Sequence, residues 1–418
     1  MKVILVVGAR PNFMKAAPIL RAIAHANQHE FGIITPVLVH TGQHYDAAMS
    51  DAFFTDLNLP RPDIHLGVGS GSHAGQTAEI MRKFEGVLKS ERPDAVVVVG
   101  DVNSTVACAL VTAKISFDST GKRPLLAHVE AGLRSFDRSM PEECNRVVTD
   151  HLSDLLFVTE ESGLHNLENE GISEEKVFFV GNTMIDSLLA CRQQAGESKI
   201  LECLRLCGGK EHDDSSKLID SYALLTLHRP ANVDNLVAFR EILDGLQELV
   251  ATTKIIFPAH PRTQQSISKN NLDSYFHRQM SGSAERPRER ILMIEPLGYL
   301  DFLCLMEHAA LVITDSGGIQ EETTCLGVPC VTVRENTERP ITVEVGTNIL
   351  AGVRQASISR AVQFQRSPRR KARVPDKWDG HAAERIVEVI KGHIPLLNQP
   401  RTPDNALLHT FAREVKAS

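Results

Sequence analysis

The chain has 418 residues, 42% hydrophobic, 5% aromatic and 23% charged, and 45 Lys and Arg against 52 Asp and Glu leave a formal charge of −7. That length supports two or three domains, each with its own core. An acidic, aromatic-poor chain lacks the basic face and stacking platforms of a general nucleic-acid binder, and no run reaches the ~18 apolar residues of a membrane span.

Short β-branched runs alternate with amphipathic stretches. In the first half, strands are expected at KVILVVGA (2–9), GIITPVLVHTG (32–42), AVVVVGD (95–101), LLAHVEA (125–131), LLFVTE (155–160) and KVFFVG (176–181). Helical patterns fall between them near 13–26, 75–90, 103–114, 141–153 and 160–170. The second half repeats the rhythm with YALLTLHR (222–229), KIIFPAH (254–260), ILMIEP (291–296), ALVITD (310–315) and PCVTVR (329–334). Helices are expected there near 235–250, 299–308 and 317–326. Continuous apolar strands flanked by helices predict parallel sheets covered on both faces, hence an α/β protein of two doubly wound, Rossmann-like units.

The domain boundary is expected near 181–187, dividing the chain into 1–183, 184–375 and a C-terminal helical segment at 376–418. The stretch ending in GGKEHDDSS reads as a polar surface connection or an insertion, residues 264–290 as polar and loop-rich, and PRPDIHLGVGSGSHAGQ (60–76) as a Gly- and Ser-rich segment able to move on ligand binding. RSPRRKAR (366–373) reads as a solvated linker ahead of HAAERIVEVIKGH. The eight cysteines form no CxxC pair and lie mostly in apolar stretches, which predicts reduced core thiols and a cytoplasmic protein. MKVILVVGARP is too short an apolar run for a signal peptide.

Ligands of open α/β sheets bind beyond the carboxyl ends of strands. Those positions carry Arg10, Gln43, His44, Asp101, Glu130, His228, His260 and the run Asp315-Ser316-Gly317-Gly318. The first βα turn, GARPNFMK, lacks the GxGxxG of a dinucleotide site; Arg10 and Lys15 beside it read either as phosphate contacts or as surface cations. VITDSGGIQEE is sharper. Ser316 is placed to cap a helix whose unpaired N–H groups, open at Gly317 and Gly318, favour a diphosphate. Glu321 or Glu322 would accept from a ribose diol, or simply favour the helix start. Arg339, in NTERP, would close over the same anion.

Among the carboxylates, Ser139-x-x-Glu142 matches a capping box and Glu142/Arg146 has the spacing of a helical ion pair. Glu130 follows a hydrophobic strand and needs a partner or a task. His228 and His260 end strands and read equally as structural histidines. No spacing forms a metal cage.

GARPNFMKAAP, TGQH, VVGDVNST, HVEAGLRS, PEECNR, VGNTMIDSL, LTLHRPANVDN, PAHPR, TDSGGIQEE, LGVPCVTVRENTERP and VEVGTN occur in order from residue 8 to 348. Together they resemble the non-hydrolysing UDP-N-acetylglucosamine 2-epimerase family. The resemblance implies two Rossmann-like domains facing a central cleft, as in glycosyltransferase type-B folds, with the last helix returning to the first domain. It implies reversible C2 inversion of UDP-GlcNAc to UDP-ManNAc by elimination of UDP and re-addition through 2-acetamidoglucal, without cofactor or metal. Carried over by motif, Asp101, Glu130, Glu142 and His228 are catalytic, with Glu130 and Glu142 moving protons. Arg10, Lys15, Arg146, His260, Phe302, Ser316, Gly317, Gly318, Glu322 and Arg339 bind substrate. Gln43, Gln76 and Arg229 suit an allosteric UDP-GlcNAc site. A homodimer is implied, with no nucleic-acid or membrane partner.

The chain departs from the family pattern at Asn12, where an acid is common, at Leu297, where glutamine is frequent, and at Asp46. HRPANVDN is a subclass variant. A 2-epimerase of a UDP-diacetamido-uronic acid is one alternative; a hydrolysing epimerase releasing ManNAc and UDP, a glycosyltransferase and a silent nucleotide-sugar sensor are others.

Overall fold

Strands covered on both faces need uninterrupted apolar sequence, and the Val-, Ile- and Leu-rich runs become such strands. The structure, a computed structural model, describes residues 1–29, 33–43, 56–57, 59–206, 221–278, 290–367 and 372–397. It divides into two units, Met1–Ala190 with the segment from Asp376 onward, and Cys191–Pro375.

The first unit is a seven-stranded sheet of β1 (Lys2–Val7), β2 (Thr35–His40), β3 (Ile64–His65), β4 (Ala95–Val99), β5 (Leu125–Ala131), β6 (Leu155–Val158) and β7 (Val177–Phe179), in the order β3-β2-β1-β4-β5-β6-β7. Every pairing is parallel; Leu5 of β1 lies opposite Leu38 on one side and Val97 on the other. Its helices are α1 (Arg10–His29), α2 (His73–Glu91), α3 (Asn103–Lys114), α4 (Pro141–Leu152), α5 (Glu161–Asn169) and α6 (Thr183–Gly196). Ile80, Phe84 and Leu88 of α2, one face at helical spacing, bury against Ile4, Val6, Val96 and Val98. Because β2 and β4 flank β1 on opposite sides, the sheet reverses direction between β1 and β4. The βα turns there, 8–9 and 100–102, open the crevice where such sheets bind ligands.

The second unit repeats the plan with β8 (Tyr222–Thr226), β9 (Lys254–Pro258), β10 (Phe276–Arg278), β11 (Ile291–Ile294), β12 (Leu311–Thr314), β13 (Cys330–Thr332) and β14 (Asn348–Leu350), in the order β10-β11-β9-β8-β12-β13-β14. Its longer helices are α7 (Leu236–Gly245), α8 (Pro261–Lys269), α9 (Tyr299–Glu307), α10 (Gly317–Leu326) and α11 (Gln355–Gln365). Here the switch point lies between β8 and β12, beyond which stand His228 and Asp315.

The C-terminal helix α12 (Ala382–Leu397) belongs to the first unit and packs along α1. Two polar contacts fix its approach. The indole N–H of Trp378, the only tryptophan of the chain, donates to the Thr159 carbonyl at 2.8 Å, and the buried Asp186 carboxylate accepts the first helical N–H groups, from Ala382 at 3.2 Å and Ala383 at 2.7 Å.

The α/β class with two doubly wound units is as expected. Three edge strands, β3, β10 and β14, were not anticipated; at two or three residues each they carry too little alternation to read. Helix α8 and β10 lie inside 264–290, or just before it, where loop was expected. Cys108, Cys191, Cys304 and Cys330 are buried, but Cys144 and Cys203 are exposed, which corrects the core reading for those two. Cys207, GGKEHDDSS and residues 368–371, the middle half of RSPRRKAR, lie outside the described residues. Among the described residues no helix is long and apolar enough to cross a membrane.

Candidate active site

In the first unit the side chains gather around the β1–β4 switch point. Asn12 holds the first turn: its Oδ1 accepts the N–H groups of Gly8 and Ala9, both at 3.0 Å, and its Nδ2 donates to the Val99 carbonyl at 2.9 Å. An ionised acid cannot make that last bond, so the asparagine suits this site as the amide. Lys15, one turn into α1, is buried and its ammonium pairs with the buried Glu130 carboxylate. Between them passes Gly100, at φ 66°; a Cβ there would lie 2.8 Å from Lys15 Nζ and 3.2 Å from Glu130 Oε2. Only glycine fits.

Glu130 owes its direction to a β-bulge. Val129 of β5 pairs with Phe157 of β6 and Ala131 with Val158, leaving Glu130 as the extra residue, at φ 74°. A left-handed conformation in a non-glycine residue costs about 1–3 kcal/mol and is found where a side chain must be re-aimed at a working site.

Asp101 follows Gly100. Arg146 of α4 grips it with Nε at 3.0 Å and Nη2 at 2.7 Å, and turns Nη1 to Glu143 at 2.5 Å. Glu143 in turn accepts from Ser135 N, Ser135 Oγ and Phe136 N at 2.9–3.1 Å, folding the loop between β5 and α4. Two expectations are corrected here. Arg146 pairs with Asp101 and Glu143, not with Glu142, because the i,i+3 carboxylate points to the same side of the helix. There is no capping box either: the N-cap is Met140, and Ser139 gives its N–H and Oγ–H to Asp137 instead. Glu142 is half-buried and, among the described residues, has no hydrogen-bond or ion-pair partner.

Gln43 and Gln76 are buried and engaged within this unit. Gln43 Oε1 accepts from Ser104 N and Oγ at 3.0 and 2.8 Å; Gln76 donates to the Gln43 and Gly69 carbonyls and accepts from Asn103. Arg10 opens α1, but its side chain, like His44 and Asp46, lies outside the described residues.

In the second unit Asp315, fully buried beyond β12, accepts the N–H groups of His228 and Arg229 and the Asn232 amide at 3.0–3.2 Å. Its Oδ1 also meets His228 Nδ1 at 2.9 Å, while the His228 side chain stays 57% exposed. Burial alone would raise the Asp315 carboxyl; the His228 charge and these hydrogen bonds outweigh it and hold the group below the ordinary carboxylate range.

Helix α10 starts with Ser316 as its N-cap, but the serine side chain makes no capping bond, which corrects that detail. Arg339 is seated over the helix start, where a Cβ on Gly317 would fall 2.4 Å from Nη1; it pairs with Glu321 at 2.9 Å and Glu338 at 2.5 Å. Arg229 approaches Glu338 at 3.6 Å. Glu322 is buried and accepts from the Tyr299 hydroxyl at 2.9 Å. Burial, and next the Tyr299 bond working against it and the Glu321 charge working with it, leave its carboxyl raised to about 7. Phe302 is half-buried on the first turn of α9, the helix that carries Tyr299. His260 caps α8, its Nδ1 accepting from Arg262 N at 3.3 Å, and is exposed.

Sequence reading missed Glu143, Asp315 as the partner of His228, and Tyr299. It also missed His128, Arg134 and Asp150, whose signal was the density of polar residues in HVEAGLR on an otherwise apolar strand.

This geometry can move protons in the first unit and hold an anion in the second. The family model described as UDP-N-acetylglucosamine 2-epimerase matches residues 26–391. The UDP-N-acetylglucosamine 2-epimerase of Methanocaldococcus jannaschii is 43% identical over 392 residues, covering 93% of this chain and 99% of the relative. The UDP-2,3-diacetamido-2,3-dideoxy-D-glucuronate 2-epimerase of Pseudomonas aeruginosa is 37% identical over 355 residues, covering 84% and 88%. The crystal structure of the Methanocaldococcus jannaschii UDP-GlcNAc 2-epimerase in complex with UDP-GlcNAc and UDP superposes with a TM-score of 0.80 at 41% identity, covering 94% of this chain and all of that one. With the motifs in order, the sheets reversing where the motifs stand and the family match spanning most of the residues, the chain belongs to the UDP-N-acetylglucosamine 2-epimerase family.

Proposed function

We propose that this protein catalyses reversible inversion at C2 of UDP-N-acetylglucosamine without a cofactor. The C2 proton has no neighbouring carbonyl, so direct deprotonation would leave an unstabilised carbanion. Elimination avoids it: the C2–H bond breaks toward a carboxylate, its electrons form the C1=C2 bond, and the C1–O bond to UDP breaks. UDP then returns to C1 while a proton reaches the opposite face of C2. The reaction needs acid–base groups for both faces and firm retention of the diphosphate.

The bulge that aims Glu130 at Lys15 carries this reading. A strained, buried ion pair at a switch point has no packing explanation as simple as this chemical one. Asp101 and Glu142 supply the further carboxylates, with Arg146 orienting Asp101. His228 assists the departing diphosphate; the α10 N-terminus, Arg10 and Arg339 hold it, Glu322 accepts from the ribose and Phe302 lines the uracil. Gln43, Gln76 and Arg229 serve regulation only if their present hydrogen bonds open. A cytoplasmic homodimer, free of nucleic-acid and membrane partners, belongs to the same reading.

The test incubates the protein with UDP-GlcNAc in D2O and follows the sugar by NMR. Deuterium at C2 with the UDP bond retained is the expected result, lost in Glu130→Gln. Free ManNAc would indicate hydrolysis, and no exchange would overturn the proposal for this sugar. One feature favours a second substrate: Arg138, exposed and without a partner among the described residues, suits the carboxylate of a UDP-diacetamido-uronic acid, and the Pseudomonas aeruginosa relative is named for that reaction.

A further inference from the structure

Two residues before Glu130 on β5 stands His128, with no exposed surface. Its Nε2 lies 2.8 Å from the Gly100 carbonyl and its Nδ1 2.6 Å from Asp150 Oδ1. A carbonyl oxygen can only accept. Asp150 likewise accepts, from Gly132 N at 3.1 Å and from Arg134 at 2.7 Å, and Arg134 is clamped in turn by both oxygens of Glu170 at 2.7 Å. Burial pushes the Asp150 carboxyl up, but the charges and hydrogen bonds of His128 and Arg134 outweigh it, so the group stays ionised. Both ring nitrogens therefore face acceptors, and the ring donates twice.

What the ring holds is the peptide at the centre of the site. Gly100 is fixed by its N–H to the Val129 carbonyl at 3.0 Å and by His128 at its own carbonyl, and Asp101 begins on the far side of that carbonyl. The Gly100 Cα also forms the floor beneath Lys15 and Glu130. We propose that His128 is a positioning residue for the epimerisation proposed above, its doubly donating ring tying the Gly100 carbonyl to Asp150 and so setting Asp101 against the Lys15–Glu130 pair. A fully buried imidazole hydrogen-bonded at both nitrogens is an expensive way to fill a core position, which a Phe or Leu would fill better if packing were its only task.

The proposal rests on the epimerase reading, and C2 exchange in D2O by the wild-type protein checks that first. With exchange present, His128→Ala should lower kcat about 100-fold, with KM and UDP affinity changed less than about threefold. His128→Gln, which keeps an N–H donor toward Gly100, should recover about tenfold of that loss. A kcat within about threefold of wild type in His128→Ala, or no recovery in His128→Gln, overturns the proposal. Should His128→Ala fail to fold, 1H–15N correlation spectra of the wild-type protein decide instead, the His128 signals being assigned by their loss in His128→Gln. Both ring nitrogens carrying protons at the assay pH supports the proposal, and a neutral tautomer refutes it even if epimerase activity is absent.

Discussion

His228 Nδ1 donates to a carboxylate that is itself out of reach of water: Asp315 Oδ1, 2.9 Å away on a residue with no exposed surface. The arrangement fixes the orientation of the ring and turns Nε2 to its exposed side, where a ligand can meet it. Asp315 and His228 should therefore act as one unit. Asp315→Asn and His228→Ala are each expected to lower kcat about 10- to 100-fold, and the double variant should lose little more than the worse single one. Fully additive losses, measured as kcat on UDP-GlcNAc, would show that the aspartate merely folds the loop.

The neighbouring acids Glu142 and Glu143 should respond in opposite ways. Glu143 accepts three loop hydrogen bonds besides its pairing with Arg146, and bonds to a charged group contribute about 1.5–3 kcal/mol each. Glu143→Gln should lower the melting temperature by several degrees. Glu142→Gln should leave it within about a degree, since no partner is lost, yet reduce kcat about 100-fold or more, the size of an acid–base contribution. Thermal scans beside turnover rates separate the two, and equal melting losses would contradict the assignment.

Strand tips were legible because a parallel strand covered on both faces leaves an apolar run that stops abruptly, and Asp101, Glu130, His228 and Asp315 all sit where such runs stop. What those tips touch was not legible. Glu130 lies on a bulge, which breaks the two-residue alternation that a sequence reveals, and its left-handed backbone has no composition signal in a non-glycine residue. The i,i+4 rule assigned Arg146 to Glu142 while the structure uses the i,i+3 partner, Glu143, together with a tip 45 residues away in sequence. Helix spacing fixes neighbours on one helix but says nothing of a third group that competes for the same guanidinium.

Nucleotide affinity should depend on pH through Glu322. Its carboxyl is raised to about 7, chiefly by burial, so at neutral pH it is half protonated, whereas two ribose hydroxyls call for the ionised form. UDP-GlcNAc binding is expected to weaken by about tenfold from pH 8 to pH 6. Its diphosphate diester does not titrate in that range. Calorimetric titration of Glu322→Gln should give weaker binding with a flat profile; a variant that keeps the wild-type slope would exclude Glu322 as its source.

Asp186 sets a second pH dependence, this one in stability. Burial, the largest influence, raises its carboxyl to about 6 against the opposing Ala383 and Ala382 N–H bonds. In the unfolded chain the group titrates near ~4. Between those values the folded state keeps the proton and the unfolded state releases it, so stability falls as pH rises from about 4 to about 6 and stays lower above. A shift of about two pH units corresponds to about 3 kcal/mol. Asp186→Asn stays neutral throughout and retains an acceptor for one N–H of α12. Relative to wild type it should gain stability as pH rises from about 4.5 to 7, read from the fluorescence of Trp378, which packs just ahead of the same helix. A wild-type-minus-variant difference that does not change with pH would assign the loss of stability with rising pH to another group.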